Sequence, residues 1–301
     1  MMGRCRAWLP AFAMLLTGSP LAAAPLAERI GHSDPSKFQH LSKVHAGAGT
    51  MDFGQLLGVG ALSTNLIFIH RGVIAPHSGI GQHFHNQSEE MFVILDGEAE
   101  FTIDGRTSRI KGPAGVPDRM GHAHAIYNPT DRPIQWLNIN VGMTKAYDNF
   151  DLGDPRTDGV VLDKIPQFIS MRFDRSLLKP VTAMDGGQGN VMYRRLLDPT
   201  VFATPWTFVD HLMLPPGTSV GAASKPGLSE AYYVLSGDGE ISVGRETAAI
   251  HSGDAVAVDV GETRALRPTG TAPLELMVIG VAKDLDAKAA YRTATAPRRP
   301  R

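Results

Sequence analysis

The sequence predicts an all-β protein built from two copies of one domain, and three observations carry that prediction. The first is an internal repeat at a constant offset of 140. Phe68, Pro76, Glu90, Gly97, Glu100, Ile110, Gly121, Pro133 and Val141 recur without a gap as Phe208, Pro216, Glu230, Gly237, Glu240, Ile250, Gly261, Pro273 and Val281. Self-similarity at a fixed period over this length marks a duplicated structural unit. The second is a series of short apolar or alternating runs, such as T-N-L-I-F-I-H, E-M-F-V-I-L and Q-W-L-N-I-N-V, divided by turn residues. The third is the scarcity of helical periodicity outside the inter-repeat linker and the stretch A-K-D-L-D-A-K-A-A-Y near the C-terminus. A chain of 301 residues with 43% hydrophobic content suits two domains of ordinary size with packed cores.

Residues 1–24 read as a secretion signal. Arg4 and Arg6 form a positive start, Ala7 to Thr17 an apolar core, Gly18-Ser19-Pro20 a break, and Ala22-Ala23-Ala24 small cleavage-site residues. The apolar run is too short to span a bilayer. Cutting after Ala23 or after Ala24 is left open. The one cysteine, Cys5, lies inside this segment, so the mature chain has no disulfide framework and no thiol chemistry. Losing Arg4 and Arg6 moves the formal charge from −1 to −3. With no basic block, nucleic acid is not an expected partner. The product is expected to be exported, periplasmic in a Gram-negative cell, and free of the membrane once the signal is removed.

Residues 25–60 read as an N-terminal arm, glycine-rich and carrying His32, His40 and His45. Barrel strands are expected over 61–145. There, the Asp104-Gly105 pair predicts a tight two-residue hairpin, and Leu137, Ile139 and Val141 share one face of the closing strand. Trp136, Asn138 and Asn140 share the other. Their counterparts Leu276, Val278 and Gly280 are not polar, so that polarity belongs to the first copy alone. Residues 146–200 read as an unrepeated linker, 201–285 as the second barrel, and 286–301 as a basic tail ending in Arg298-Arg299-Pro300-Arg301. Association through exposed strand edges is left open.

The chemistry concentrates in two segments, G-Q-H-F-H-N-Q-S-E-E-M-F-V-I-L-D-G and G-H-A-H-A-I-Y-N. In a strand, residues i and i+2 share a face, so His83 and His85 project together. Glu90 opens the next strand, and His124 lies in the second segment. Imidazole and carboxylate are ligands that iron, manganese, zinc, nickel and copper accept. Four such groups leave positions on an ion open to substrate.

Both segments resemble the two cupin motifs. The first matches G-x5-H-x-H-x3-4-E-x6-G, with six residues between Glu90 and Gly97; this spacing selects Glu90 over Glu89. The second matches P-x-G-x2-H-x3-N through Gly121, His124 and Asn128, with Arg119 standing where that motif has proline. With its repeat, the chain resembles the bicupins, which implies two double-stranded β-helix (jelly-roll) barrels in one chain. It also implies one divalent metal per chain at His83, His85, Glu90 and His124, with iron or manganese favoured and zinc, nickel or copper also accepted.

The second copy departs from this pattern. His83 becomes Ala223, His85 becomes Lys225 and His124 becomes Arg264; Glu230 alone survives. Either the two cations pair with Glu230 in place of a metal, or they bind a carboxylate ligand.

In the first copy, His122 shares strand parity with His124 and is expected to face the interior as a proton shuttle or extra ligand. Arg119 is expected near the mouth as a holder of anionic substrate. Phe92, Trp136, Asn138 and Asn140 are expected to line the substrate pocket. Bicupins with one working site resemble quercetinase-like and pirin-like dioxygenases, which implies an oxidoreductase acting on a small organic substrate. Non-redox decarboxylase, lyase or isomerase chemistry and non-catalytic binding of a sugar or small acid remain as alternatives.

Overall fold

The computed structural model describes residues 24–296. The candidate signal, apart from Ala24, and the arginine-rich end lie outside the described residues. The described chain opens with a 3-10 turn at Leu26–Arg29 and the two-residue strand β1 (Ile30–Gly31). Ten strands follow: β2 (Gln39–Ser42), β3 (Thr50–Leu57), β4 (Leu66–Ile74), β5 (Ser78–Phe84), β6 (Ser88–Ile94), β7 (Glu98–Ile103), β8 (Arg106–Lys111), β9 (Ala114–Asp118), β10 (Ala123–Asn128) and β11 (Ile134–Gly142). Next come β12 (Phe150–Asp154) and β13 (Met171–Arg172). The second set is β14 (Lys179–Thr182), β15 (Asn190–Leu197), β16 (Trp206–Leu214), β17 (Val220–Ala223), β18 (Leu228–Ser236), β19 (Gly239–Val243), β20 (Glu246–Ile250), β21 (Ala255–Val258), β22 (Arg264–Pro268) and β23 (Leu274–Ala282). Helix α1 (Leu285–Thr295) closes the described chain.

The two copies fold alike. Each pairs a seven-stranded sheet with a smaller one: β13-β9-β6-β11-β4-β3-β2 with β12-β5-β10-β7-β8, and β1-β21-β18-β23-β16-β15-β14 with β17-β22-β19-β20. All the paired strands run antiparallel. Asp104 and Gly105 both take positive φ at the tip of the β7–β8 hairpin, as a two-residue turn of this hand requires.

The large sheets pack face to face. Leu137, Ile139 and Val141 meet Met277, Ile279, Val281 and Tyr233 in a core shared by both copies. The alternate residues point into separate barrel interiors. Phe92, Ile94, Phe101, Ile126 and Trp136 fill the first, and Phe208, Tyr232, Val234, Ile241 and Leu276 the second. This is the period-two consequence of one strand serving two cores.

Three boundaries expected from the sequence are corrected. The repeat starts earlier than residue 61: β2 and β3 lie 140 residues before β14 and β15, and each pair joins the large sheet of its own copy. The arm assigned to residues 25–60 therefore shrinks to residues 25–38. A bulge between Gln55 and Leu57 breaks the alternation of β3, which hid that strand in the sequence. The linker is likewise shorter than 146–200, because β12 adds to β5, β13 to β9, and β14 and β15 to the second large sheet. Residues 285–295 form a helix, as the run A-K-D-L-D-A-K-A-A-Y suggested, so most of the stretch assigned to a 286–301 tail is helical. It is capped by the Asp284 carboxylate on the Ala287 amide and anchored by buried Lys288.

The true arm crosses over. Strand β1 pairs with β21 of the second copy, while β13, just ahead of the second copy, pairs with β9 of the first. Leu26 buries in the second core, and Arg29 pairs with Glu262. Gly31 permits this crossing, since a Cβ there would sit 2.0 Å from the Leu56 carbonyl oxygen.

Candidate metal centre

Four side chains converge inside the first barrel. Strand β5 and the residue just past it supply His83 and His85, β6 supplies Glu90, and β10, paired with β5, supplies His124. Each is at most 1% exposed. The Glu90 Oε2 lies 3.6 Å from His83 Nε2, 3.5 Å from His85 Nε2 and 3.3 Å from His124 Nε2. His124 Nε2 is 3.0 Å from His83 Nε2 and 3.3 Å from His85 Nε2. Neighbouring ligands of one ion with bonds of ~2.1 Å stand about 3.0–3.4 Å apart, so the donor set fits a divalent metal. Among the described residues, this is the one group of three or more His, Cys, Asp or Glu side chains close enough to share an ion.

The surroundings orient the ligands. His83 Nδ1 donates to the Gly81 carbonyl at 2.8 Å, and His85 Nδ1 to the Asp148 carbonyl. Those bonds fix the proton on Nδ1 and turn each Nε2 lone pair inward. Asn140 Nδ2 donates to Glu90 Oε1 at 3.2 Å and to Ser88 Oγ at 3.2 Å, which leaves Oε2 for the metal. Phe92 lies flat on His124, ring centroids 4.5 Å apart and planes 10° from parallel. Burial and the neighbouring imidazoles push His124 down to about 3, so it is a neutral ligand at any ordinary pH. Burial works against the charge of Glu90, but His85, His124 and His83 outweigh it and hold the carboxyl well below its usual range.

A cavity of about 370 Å³ opens onto His83 and Glu90. Phe92, Trp136 and Asn138 line it, whereas Asn140 sits beneath, holding Glu90. The Trp136 Nε1 and Asn138 Oδ1 atoms are buried without a partner among the described residues. Two residues singled out from the sequence lie elsewhere. His122 precedes β10 in a turn, where its amide donates to the Arg119 carbonyl and its ring binds Asp104 at 2.6 Å on the surface. Strand parity does not reach it, because β10 begins one residue later. Arg119, exposed past the end of β9, lies outside the lining of the cavity. Glu89 points away to the second copy, accepting from the Ala203 and Thr204 amides.

Other residues close the cavity instead. His45 stacks on His83 with ring centroids 3.8 Å apart and binds Asp151 through Nδ1. Tyr147 stands 5.4 Å from the His85 ring, and Gln55 and His70 complete the polar lining. These residues come from segments distant in sequence from the metal motifs, and only the histidine content of 25–60 hinted at any of them. Buried Asp118 lies 4.0 Å from His124, its oxygens without a hydrogen-bond partner among the described residues; burial and the nearby Glu90 charge push its carboxyl well above the usual range.

The corresponding position in the second barrel has no metal donor set. Lys225 binds Glu230 at 2.6 Å. Arg264 stands 3.5 Å from Glu230 and bonds Tyr232 OH at 2.6 Å, which in turn donates to Glu230 at 2.9 Å. Gly280 replaces Asn140, and the Phe208 ring occupies the space that a side chain there would need.

Comparison with known proteins agrees with this geometry. The cupin domain model matches twice, at residues 70–140 and 210–280. An oxalate-binding protein of Thermotoga maritima is 31% identical over 99 residues, covering 33% of this chain and 82% of that protein. Oxalate decarboxylase from Bacillus subtilis superposes with a TM-score of 0.60 at 18% identity, covering 84% of this chain and 76% of that one. Salicylate 1,2-dioxygenase from Pseudoaminobacter salicylatoxidans gives 0.61 at 17%, covering 80% and 75%. At such identities the structural likeness speaks for the fold. With two jelly-roll barrels, two domain matches and a three-histidine, one-glutamate centre in the first, the chain belongs to the cupin family and has the bicupin arrangement.

Proposed function

We propose that the protein is a metal-dependent dioxygenase acting on a small phenolic or similarly flat, weakly charged substrate in the first barrel. The composition of the cavity wall carries this reading. Leu41, Val44, Met51, Phe53, Phe68, Phe92 and Trp136 form its apolar part, and among the described residues no lysine or arginine lines it. A dianion such as oxalate would enter against the cost of desolvating charge with only the metal to offset it. A flat body with one ligating oxygen suits the aromatic slot.

A bound iron or manganese would supply Lewis acidity and a redox path to O2. The chain would do the rest. Trp136 and Asn138 line the slot and fix the orientation of the substrate by shape. His45, backed by Asp151, takes the proton-handling role that parity had assigned to His122. Burial keeps its ring below the ordinary histidine value, so it is a neutral acceptor near pH 7. Tyr147 and the apolar wall exclude water.

The names of relatives favour a second reading, decarboxylation or binding of a small acid. O2 uptake by the iron- or manganese-loaded protein on a panel of catechols, flavonols and small acids including oxalate separates the readings. Substrate-dependent uptake with a phenol, lost in Glu90→Ala, supports the dioxygenase; formate and CO2 from oxalate would establish decarboxylation. Export is proposed from the N-terminal residue pattern, and N-terminal sequencing of the protein recovered from its own cells tests it.

A further inference from the structure

The second barrel keeps its pocket after losing the metal ligands. A cavity of about 560 Å³ occupies the position that the metal pocket holds in the first copy. Five lining positions correspond at the offset of 140: Met184 to Val44, Asp185 to His45, Tyr193 to Phe53, Arg195 to Gln55 and Asp210 to His70. The lining residues Lys225 and Arg264 stand where the first copy has the ligands His85 and His124. Degeneration alone would let such a space fill with side chains, as apolar cores do. Here the floor is charged and ordered instead.

The hydrogen-bonding balance of the floor is uneven. Glu230 accepts on both oxygens, from Lys225 on one and from Tyr232 on the other. Asp210 is held by the Arg195 guanidinium, which also binds Tyr291 OH at 2.8 Å and lies 4.4 Å over the Phe208 ring. The donors are not saturated. Lys225, 27% exposed, spends one of its three N–H bonds on Glu230. Arg264, 4% exposed, binds Tyr232 and Asp185, while its Nη1 has only two carbonyl contacts at 3.5 Å. Spare cationic N–H is thus available, set 5.7 Å from an aromatic face in the case of Lys225. Tyr193 and Tyr291, the latter on α1, form the walls.

We propose that this cavity is a second, metal-independent binding site, taking a small monocarboxylate with a flat apolar body. Its carboxylate would bind Lys225 and Arg264, with the body between Tyr193 and Tyr291. The site is independent of the chemistry assigned to the first barrel.

Calorimetry of the full chain with benzoate as the probe tests this, with benzamide as its uncharged analogue. The expected result is saturable 1:1 benzoate binding that persists after the metal is stripped and weakens at least tenfold for benzamide. Lys225→Gln should weaken benzoate at least tenfold, whereas His85→Ala in the first barrel should leave it unchanged. No saturable binding would overturn the proposal. So would equal affinity for benzamide on the unmutated protein, a measurement that needs no variant to fold. Loss of binding in His85→Ala with full binding in Lys225→Gln would place the ligand in the first barrel and overturn it equally.

Discussion

Asn140 holds the inward-facing carboxylate of the metal centre: its Nδ2 lies 3.2 Å from Glu90 Oε1, while Glu90 Oε2 faces the three imidazoles. The two residues are direct partners across β11 and β6, so backbone register sets the contact. In the second copy the same register pairs Glu230 with Gly280, and the carboxylate turns to Lys225 instead. Loss of the histidine donors and loss of this amide go together.

Asn140→Ala should therefore lower metal affinity by about 10–100-fold, the usual cost of removing a partner that orients a ligand. Competition with a chelating indicator measures it. Folding should survive, since the second barrel carries glycine there.

Replacing Lys225 or Arg264 should leave metal content at one ion per chain, because neither belongs to a donor set. Elemental analysis of Lys225→Gln checks this. A change in metal content would mean that the second barrel contributes to metal binding.

His70 gives an acid-dependent signature. Burial pushes its ring down to about 4, with the Glu90 charge opposing. A histidine with a depressed folded value favours the unfolded state once that state takes up a proton. Stability is thus full above about 6.5 and falls as pH drops from there toward 4. The shift corresponds to roughly 3 kcal/mol. In metal-free protein, the stability difference between the unmutated chain and His70→Phe should move by that order over this pH range. Urea melts at several pH values measure it.

The crossing arm is a stability element. Leu26 is 1% exposed in the core of the opposite copy. Leu26→Ala should cost about 2–4 kcal/mol, as truncation of a buried leucine does, while leaving metal content intact.

The ligands were legible because each motif is local: His83 and His85 lie two residues apart, and glycine spacing selects Glu90 over Glu89. The repeat was legible for the same reason, since both copies keep their turns in register. What escaped was non-local or irregular. The bulge in β3 concealed a strand, so 39–57 read as an arm. His45, Gln55, His70 and Tyr147 reach the cavity only through folding. His122 misled because the period-two rule was extended one residue beyond the start of β10, into the turn that follows Gly121 with its φ of +77°.

The most direct test of the central claim is metal stoichiometry of the full chain and of Glu90→Ala, measured by elemental analysis after reconstitution and removal of free ion. One divalent metal per chain, lost in Glu90→Ala, is the predicted result. Two ions per chain, none, or full occupancy in the variant would contradict a single centre at His83, His85, Glu90 and His124.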